Sequence, residues 1–546
     1  MGRAHASSGE TNMRINCSIK KKLILIYAIS FIISAVPALF LTAPPVEDCI
    51  GTIGTAAYLA GYDFRDFLVA EGFFYKYGQT IWYLPVFLLF NSAEVIYKGM
   101  LLINSAIDAF VPVMAYYIGI KICGKKRSND IIIASILVGC LPEILLNTKY
   151  TWAEPVLIIM PWIIICVLFR AVEGKNKMSG AILAWGSVYA FMCHQRGIVL
   201  AIATLITIFM LRRWTNKKII NLTEYFLNLA IALGVDRCLN GWERKVIYLG
   251  VKPKYNTLSN FLHIEIYKKL FSIKGITVVV KTFLGWLFNI AVSGYGVTLI
   301  GLAFIFIILI EKCRCYLFRI HNADNSCVSR DEHAVFAKIS TVFCALMFVG
   351  SLLLGILFFF ETLYGYWYEG EVTRCDHLVF GRYIESVLPM IFFAGMLVII
   401  YAFSLKYELF VKKIFMMLIV AAGALNIFFV IVLLPAMKDV DSYVHSLMPL
   451  NLNFDMTGVK YTQDTIGNLP EALALSGVVA WGLLLFYYFL WKKGFYYKKT
   501  NCGIYIVYAL LFSLFIYIYV RSFIDIVYRI DSLGLMRHAQ EYLAQI

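Results

Sequence analysis

Apolar residues in this chain gather into runs of about twenty, and short loops rich in lysine and arginine separate them, as in Leu23 to Thr42 and Val335 to Phe360. A hydrocarbon core about 30 Å thick is crossed by roughly 20 residues of helix. Only a helix satisfies its own backbone hydrogen bonds in lipid without strand partners. The pattern therefore predicts an all-α, polytopic transmembrane helix bundle of about thirteen spans. They are placed near 22–42, 94–120, 131–148, 155–171, 181–193, 196–211, 219–236, 294–311, 335–360, 386–404, 413–435, 472–491 and 503–521. The first follows Lys20-Lys21-Lys22, is longer than a signal-peptide core and ends at Pro44-Pro45 with no small-residue cleavage site, so it reads as an uncleaved helix.

The basic loops supply a second test of this count. Lys121 with Lys125, Lys126 and Arg127, Arg170 with Lys175 and Lys177, and Arg212 with Arg213, Lys217 and Lys218 belong on the cytosolic side. So do the groups around Lys312, Lys406 and Lys492. Thirteen spans with a cytosolic N-terminus put every one of these loops inside. The organisation expected is a polar cytosolic N-terminus over 1–21, a first transmembrane module over 22–236 with a long external loop at 43–93, and an external segment with amphipathic helices over 237–293. A second transmembrane module over 294–521 and an external tail over 522–546 complete it.

Composition agrees: 61% of residues are hydrophobic and 15% charged, against about 45–50% and 25% in soluble domains. The net charge of +15 lies in topology-setting loops and forms no basic domain, which excludes nucleic acid as a partner. Cysteines are scattered. Cys313, Cys315, His321, Cys327 and His333 are zinc-capable residues in one loop, but their spacing matches no standard site, so no metal is expected. Cys49, Cys238 and Cys375 all fall outside, which leaves one disulfide open with its pairing undetermined.

Four external turns carry the candidate chemistry. Pro44-Pro45 stops the first helix and holds Glu47 and Asp48 where lipid meets water, a setting that suits a general base and equally a solvated acidic pair of the kind common in outer loops. Lys149-Tyr150-Thr151-Trp152-Ala153-Glu154 packs a cation, two aromatics and a carboxylate into one tight turn; an interfacial aromatic belt and an acidic helix start account for it equally well. His194-Gln195-Arg196 puts an arginine outside, against the charge trend, where it calls for an anion: a lipid head group, a neighbouring carboxylate or a substrate phosphate. Gly381-Arg382-Tyr383 does the same after the aromatic run Tyr364 to Tyr368, which either stacks on sugars or forms a belt. All four sets share the outer membrane boundary, where a lipid-linked phosphate presents its head group.

These residues resemble the GT-C superfamily of membrane glycosyltransferases, in particular its protein mannosyltransferase-like and aminoarabinose-transferase-like bacterial members. The resemblance is strongest over residues 20–215. It runs through the acidic pair after Pro-Pro, Gly51-Thr52-Ile53 to Tyr62-Asp63, Trp82-Tyr83-Leu84-Pro85, the Tyr-x-x-Ala-Glu-Pro turn at 150–155 and Arg196, with Gly381-Arg382-Tyr383 later. The family order is Asp then Glu, whereas this chain reads Glu47-Asp48-Cys49. Register on the following Gly-Thr assigns the family's aspartate to Asp48 and makes Glu47 a substitute.

The resemblance implies transfer of a monosaccharide from a polyprenyl-phosphate donor to an extracytoplasmic glycan, lipid or protein, with inversion and without a cofactor. Asp48 would take the acceptor proton. Arg196, with Arg382 or Lys149, would hold the donor phosphate. Glu154 would orient sugar or acceptor, and Tyr83, Tyr150, Trp152, His194 and Tyr383 would contact them. A lateral groove between helices would hold the isoprenoid chain. No phosphate-cradling P-loop or Gly-x-Gly-x-x-Gly fingerprint argues for a nucleotide. Two other classes compete: a transporter or lipid-linked-sugar flippase using Asp108 or Glu143 near the midplane, and a polymerase or ligase with its arginines in a late external loop. An outer cluster of Asp48, Glu154 and Arg196 favours the transferase; a midplane cavity at Asp108 favours transport.

Overall fold

The structure, a computed structural model, describes residues 4–44, 48–124, 127–175, 178–215, 219–254, 264–309, 330–371, 375–401, 408–439, 461–462, 465–466, 469–493 and 502–532. Among these the protein is helical apart from one antiparallel pairing of Tyr461–Thr462 with Thr465–Ile466. The long runs named above form α1 (Ala4–Ala38), α5 (Ala93–Asp108), α6 (Phe110–Cys123), α9 (Glu154–Val172), α10 (Ser179–Cys193), α11 (Ile198–Thr215) and α12 (Leu222–Val246). Shorter helices lie between them: α2 (Asp48–Leu59), α3 (Arg65–Glu71), α4 (Thr80–Leu89), α7 (Ser128–Gly139) and α8 (Pro142–Asn147). The second half adds α13 (Ile264–Leu270), α14 (Ile273–Ser293), α15 (Val297–Leu309), α16 (Arg330–Tyr368), α17 (Leu388–Tyr401), α18 (Glu408–Phe428), α19 (Leu434–Asp439), α20 (Leu469–Lys492) and α21 (Cys502–Ser532).

Among the described residues, eight helical stretches are long and apolar enough to cross a membrane: Ala93–Cys123, Glu154–Val172, Gln195–Thr215, Ile273–Ser293, His333–Tyr368, Val411–Lys438, Pro470–Lys492 and Gly503–Ile524. Four more of the expected spans correspond to shorter apolar helices at 128–139, 179–193, 297–309 and 388–400. Expected spans 22–42 and 219–236 fall largely within α1 and α12.

Ile273–Ser293 differs from expectation, since 237–293 reads as external in the sequence. Lys274 and Lys281 interrupt its apolar run, but tertiary contacts absorb both charges. Lys281 Nζ lies 3.4 Å from the centre of the Trp367 ring, and Lys274 lies 5.3 Å from that of Tyr368. A cation over an aromatic face near lipid keeps its electrostatics satisfied while its stem stays apolar.

Helices α5, α6 and α10 pack on α9, and α16 packs on α11, α14 and α15. α12 lies along α10 from Gly180, beside Tyr225, to Met192, whose apolar cluster includes Ala232. The polar ends of these helices converge at one level, where the turns that precede α9, α11 and α17 meet the start of α2.

Candidate active site

The turn before α9 is held at every residue. The carbonyl of Lys149 accepts from Tyr97 Oη at 2.8 Å, that of Tyr150 from Asn104 Nδ2 at 2.8 Å, that of Thr151 from Thr52 Oγ1 at 2.8 Å and that of Trp152 from Gln79 Nε2 at 2.6 Å. Buried carbonyls demand such partners. Here the partners come from α2, α5 and the short turn before α4, so one loop ties three elements together and fixes the position of Glu154.

Glu154 Oε1 is shared by two guanidinium groups, Arg196 Nη2 at 2.5 Å and Arg382 Nε at 2.5 Å. Arg196 Nη1 also donates to the Arg382 carbonyl at 2.8 Å. Arg382 lies 3.9 Å over the Trp152 ring, which is itself stacked on Tyr150 at 4.2 Å. Arg196 enters from the 3-10 turn Gln195–Gly197. A Cβ at Gly197 would stand 2.3 Å from the Ala190 carbonyl carbon, so only glycine lets this turn close onto α10 and aim the arginine. His194 Nδ1 accepts the Arg196 backbone N–H at 3.1 Å. Burial, and next the charge of Arg196, push the His194 imidazole well below its ordinary pKa, so it stays a neutral acceptor.

Asp48 opens α2 and is part-exposed. Its Oδ1 accepts from Tyr75 Oη at 2.6 Å, and its Oδ2 lies 4.0 Å from Arg382 Nη1. The Tyr75 ring reaches it by passing Gly51, where a Cβ would sit 2.3 Å from the ring.

A cavity of about 580 Å³ lies over this constellation. Asp48, Thr52, Tyr75, Lys76, Gln79, His194, Arg196 and Arg382 line it together with the rings of Phe73, Phe74, Trp152, Phe358, Phe359, Phe380 and Tyr383, and Glu361, Thr362 and His377 lie among the last of these. A second, almost wholly apolar hollow of about 870 Å³ opens between α4, α10 and α12, lined by Ile81, Ile182, Trp185 and Trp242 among others. The 76–79 segment partitions the two: Lys76 and Gln79 face the cavity, Tyr77 and Gly78 the hollow.

Six residues singled out in the sequence thus line one cavity: Asp48, Trp152, His194, Arg196, Arg382 and Tyr383. Four others stand behind it. Glu154 is the counter-ion beneath the arginines. Tyr83 and Tyr150 are wholly buried, Tyr83 Oη donating to Asn104 Oδ1 at 2.8 Å, so both are scaffold and not ligand contacts. Lys149 turns away and donates to Thr148 Oγ1 at 2.8 Å and to the Ser34 carbonyl, which removes it from any phosphate in this cavity. The interfacial setting of these residues suggests an outward aim; packing turns them inward.

The aromatic run Tyr364 to Tyr368 also goes elsewhere: Lys269, Lys274 and Lys281 cover its rings. Glu47 and most of the cysteine-rich loop lie outside the described residues. Among the described residues no group of His, Cys, Asp and Glu is placed to hold a metal. Cys49 and Cys238 are free thiols, so no disulfide joins them.

Tyr75, Lys76 and Gln79 escape a sequence reading, because nothing in the 43–93 stretch distinguishes them. Lys76 Nζ pairs with Asp236 of α12 at 3.1 Å, and Tyr77 Oη donates to the same carboxylate at 2.9 Å. Asp108 is buried at the end of α5 and lines neither hollow. No protein-family model matches the chain, and no curated protein matches it significantly.

Proposed function

We propose that the protein is a membrane glycosyltransferase of the GT-C type that moves one sugar from a polyprenyl-phosphate donor to an acceptor outside the cytosol. The observation that carries this reading is the single cavity shared by Asp48 of α2 and two arginines from turns 186 residues apart in sequence. A carboxylate and paired guanidiniums facing one hollow are the groups that displacement of a phosphate from an anomeric carbon requires.

In this reading the donor phosphate lies against Arg196 and Arg382. With Glu154 neutralising one of the two positive charges, the pair keeps a net charge of about +1, matched to one phosphodiester. As the glycosidic C–O bond breaks, negative charge grows on the leaving phosphate, where preorganised guanidinium groups stabilise it without reorganising. The acceptor hydroxyl attacks the opposite face of the sugar and gives its proton to Asp48, whose free lone pairs face the cavity while Tyr75 Oη fixes its orientation. Trp152, its faces taken by Arg382 and Tyr150, offers a ring edge to the sugar beside Tyr383, and Phe358, Phe359 and Phe380 seat the first isoprene units. The acceptor and the active site lie on the extracytoplasmic face in this scheme.

The test is reconstitution with a polyprenyl-phosphate sugar and an envelope extract. Asp48→Asn is expected to lower transfer by about 10²-fold or more while membrane insertion and donor binding persist. A fully active Asp48→Asn protein removes the base assignment. A transporter reading predicts instead that Asp108→Asn is the disabling change and that Asp48→Asn is silent.

A further inference from the structure

Behind the two arginines lies a buried layer that the mechanism above does not use. Glu385, in the turn between Arg382 and α17, is 1% exposed. Its Oε2 accepts from Asn147 Nδ2 of α8 at 3.1 Å. Its Oε1 has no hydrogen-bond partner, nor have Asn147 Oδ1 and Glu154 Oε2. Three buried acceptor oxygens in one layer therefore lack a donor, and reversing the Asn147 amide only exchanges which atom is short. Unsatisfied buried acceptors are costly, and one hydrogen on Glu385 Oε1 removes two of the three shortfalls, its own and that of the oxygen to which it donates.

We propose that Glu385 is a protonated positioning residue whose carboxylic O–H supplies that hydrogen and leaves Glu154 as the sole anion behind the two guanidinium groups that face the cavity. The charged groups that act on Glu385 are Glu154 at the start of α9, Arg382 of its own turn and Arg196 of the turn before α11. Burial, and next the negative charge of Glu154, raise the Glu385 carboxyl to about 7. When its proton leaves to solvent, a second anion stands behind the arginines. Arg382 is then drawn between two carboxylates, and its hold on an anion in the cavity weakens. The functional half of this inference rests on the donor-phosphate role proposed above; the location of the proton does not.

The experiment uses the full chain in phosphatidylcholine nanodiscs with two readouts. Both proteins carry Glu243→Gln for the spectra, because burial raises the carboxyl of Glu243 in α12 into the same range. Infrared difference spectra between about pH 6 and about pH 8.5 should then show the carbonyl band of a protonated carboxylic acid disappearing where Glu385 is wild type and absent from Glu385→Gln. Binding of farnesyl methyl phosphate, a phosphodiester whose single charge does not change over this range, should weaken about tenfold in the wild type as pH rises. Glu385→Gln, an isostere of the protonated acid, should bind at both pH values as the wild type does at the lower one. A Glu385→Gln protein that keeps the wild-type band or the wild-type pH dependence overturns the proposal. A band that titrates and vanishes in Glu385→Gln while neither protein binds the phosphodiester upholds the proton on Glu385 and refutes the donor reading instead.

Discussion

Glu154 is the residue on which the site balances. Its side chain is 2% exposed, and those of Arg196 and Arg382 are 11% and 16% exposed. Two nearly buried cations share one of its oxygens. Breaking such a cluster by removing one partner leaves uncompensated charge and costs about 3–5 kcal/mol. Glu154→Gln keeps the shape and removes the charge, so it is expected to lower the thermal midpoint in detergent by several degrees, in contrast to Asp48→Asn, which leaves the midpoint in place. Circular dichroism melts of the two variants side by side decide this. Equal, unchanged midpoints would show that Glu154 is not the structural counter-ion. Asp48 is part-exposed, and among the described residues Tyr75 holds it at 2.6 Å and Arg382 more loosely at 4.0 Å.

At the scale of elements, each functional side chain is aimed by a tight contact between turns and helices. The start of α2 packs its glycine face on Tyr75, and this contact delivers the phenol to Asp48. Gly51→Ala puts a methyl group where the ring now stands, at 2.3 Å, so the ring must shift and the 2.6 Å bond to Asp48 is lost. Transfer should then fall about tenfold, to the level of Tyr75→Phe, with the double variant no worse than either single one. Additive losses in that cycle would mean that Gly51 acts on something other than the tyrosine. The 149–152 turn is aimed in the same way, its four carbonyls held by donors from the elements around it.

Across the whole molecule, buried ionisable groups set a dependence of stability on pH. Glu243 of α12 accepts from Thr55 Oγ1 at 3.2 Å, and burial raises its carboxyl to about 8 from an ordinary 4.5. The folded protein therefore holds a proton that an unfolded chain has released above the ordinary value. The contribution is complete below about pH 4.5 and is lost as pH rises through about 8. Glu243→Gln should flatten this slope, so that its midpoint exceeds that of the wild type at about pH 8.5 and matches it near pH 5. Parallel melting curves for the two proteins across that range would show Glu243 to be ionised in the folded state.

Hydropathy and charge placement were enough to read the helical class, the membrane and most of the spans, because the period and length of apolar runs answer directly to the thickness of lipid. Turns between the apolar runs were legible as well: Asp48, Trp152, His194, Arg196, Arg382 and Tyr383 each stood out as polar or aromatic groups beside such a run, and they line one cavity. Which way a side chain turns was not legible. Lys149, Tyr83 and Tyr150 have the composition of a binding site, yet packing points them inward, while Tyr75, Lys76 and Gln79 gain their place only when the 43–93 loop folds over α10 and α12. Ile273–Ser293 hid its length behind two lysines that Trp367 and Tyr368 cover from another helix. Local sequence carries the cost of putting a residue in lipid; contacts between residues far apart in the chain decide which partner relieves that cost, and only the tertiary structure holds that information.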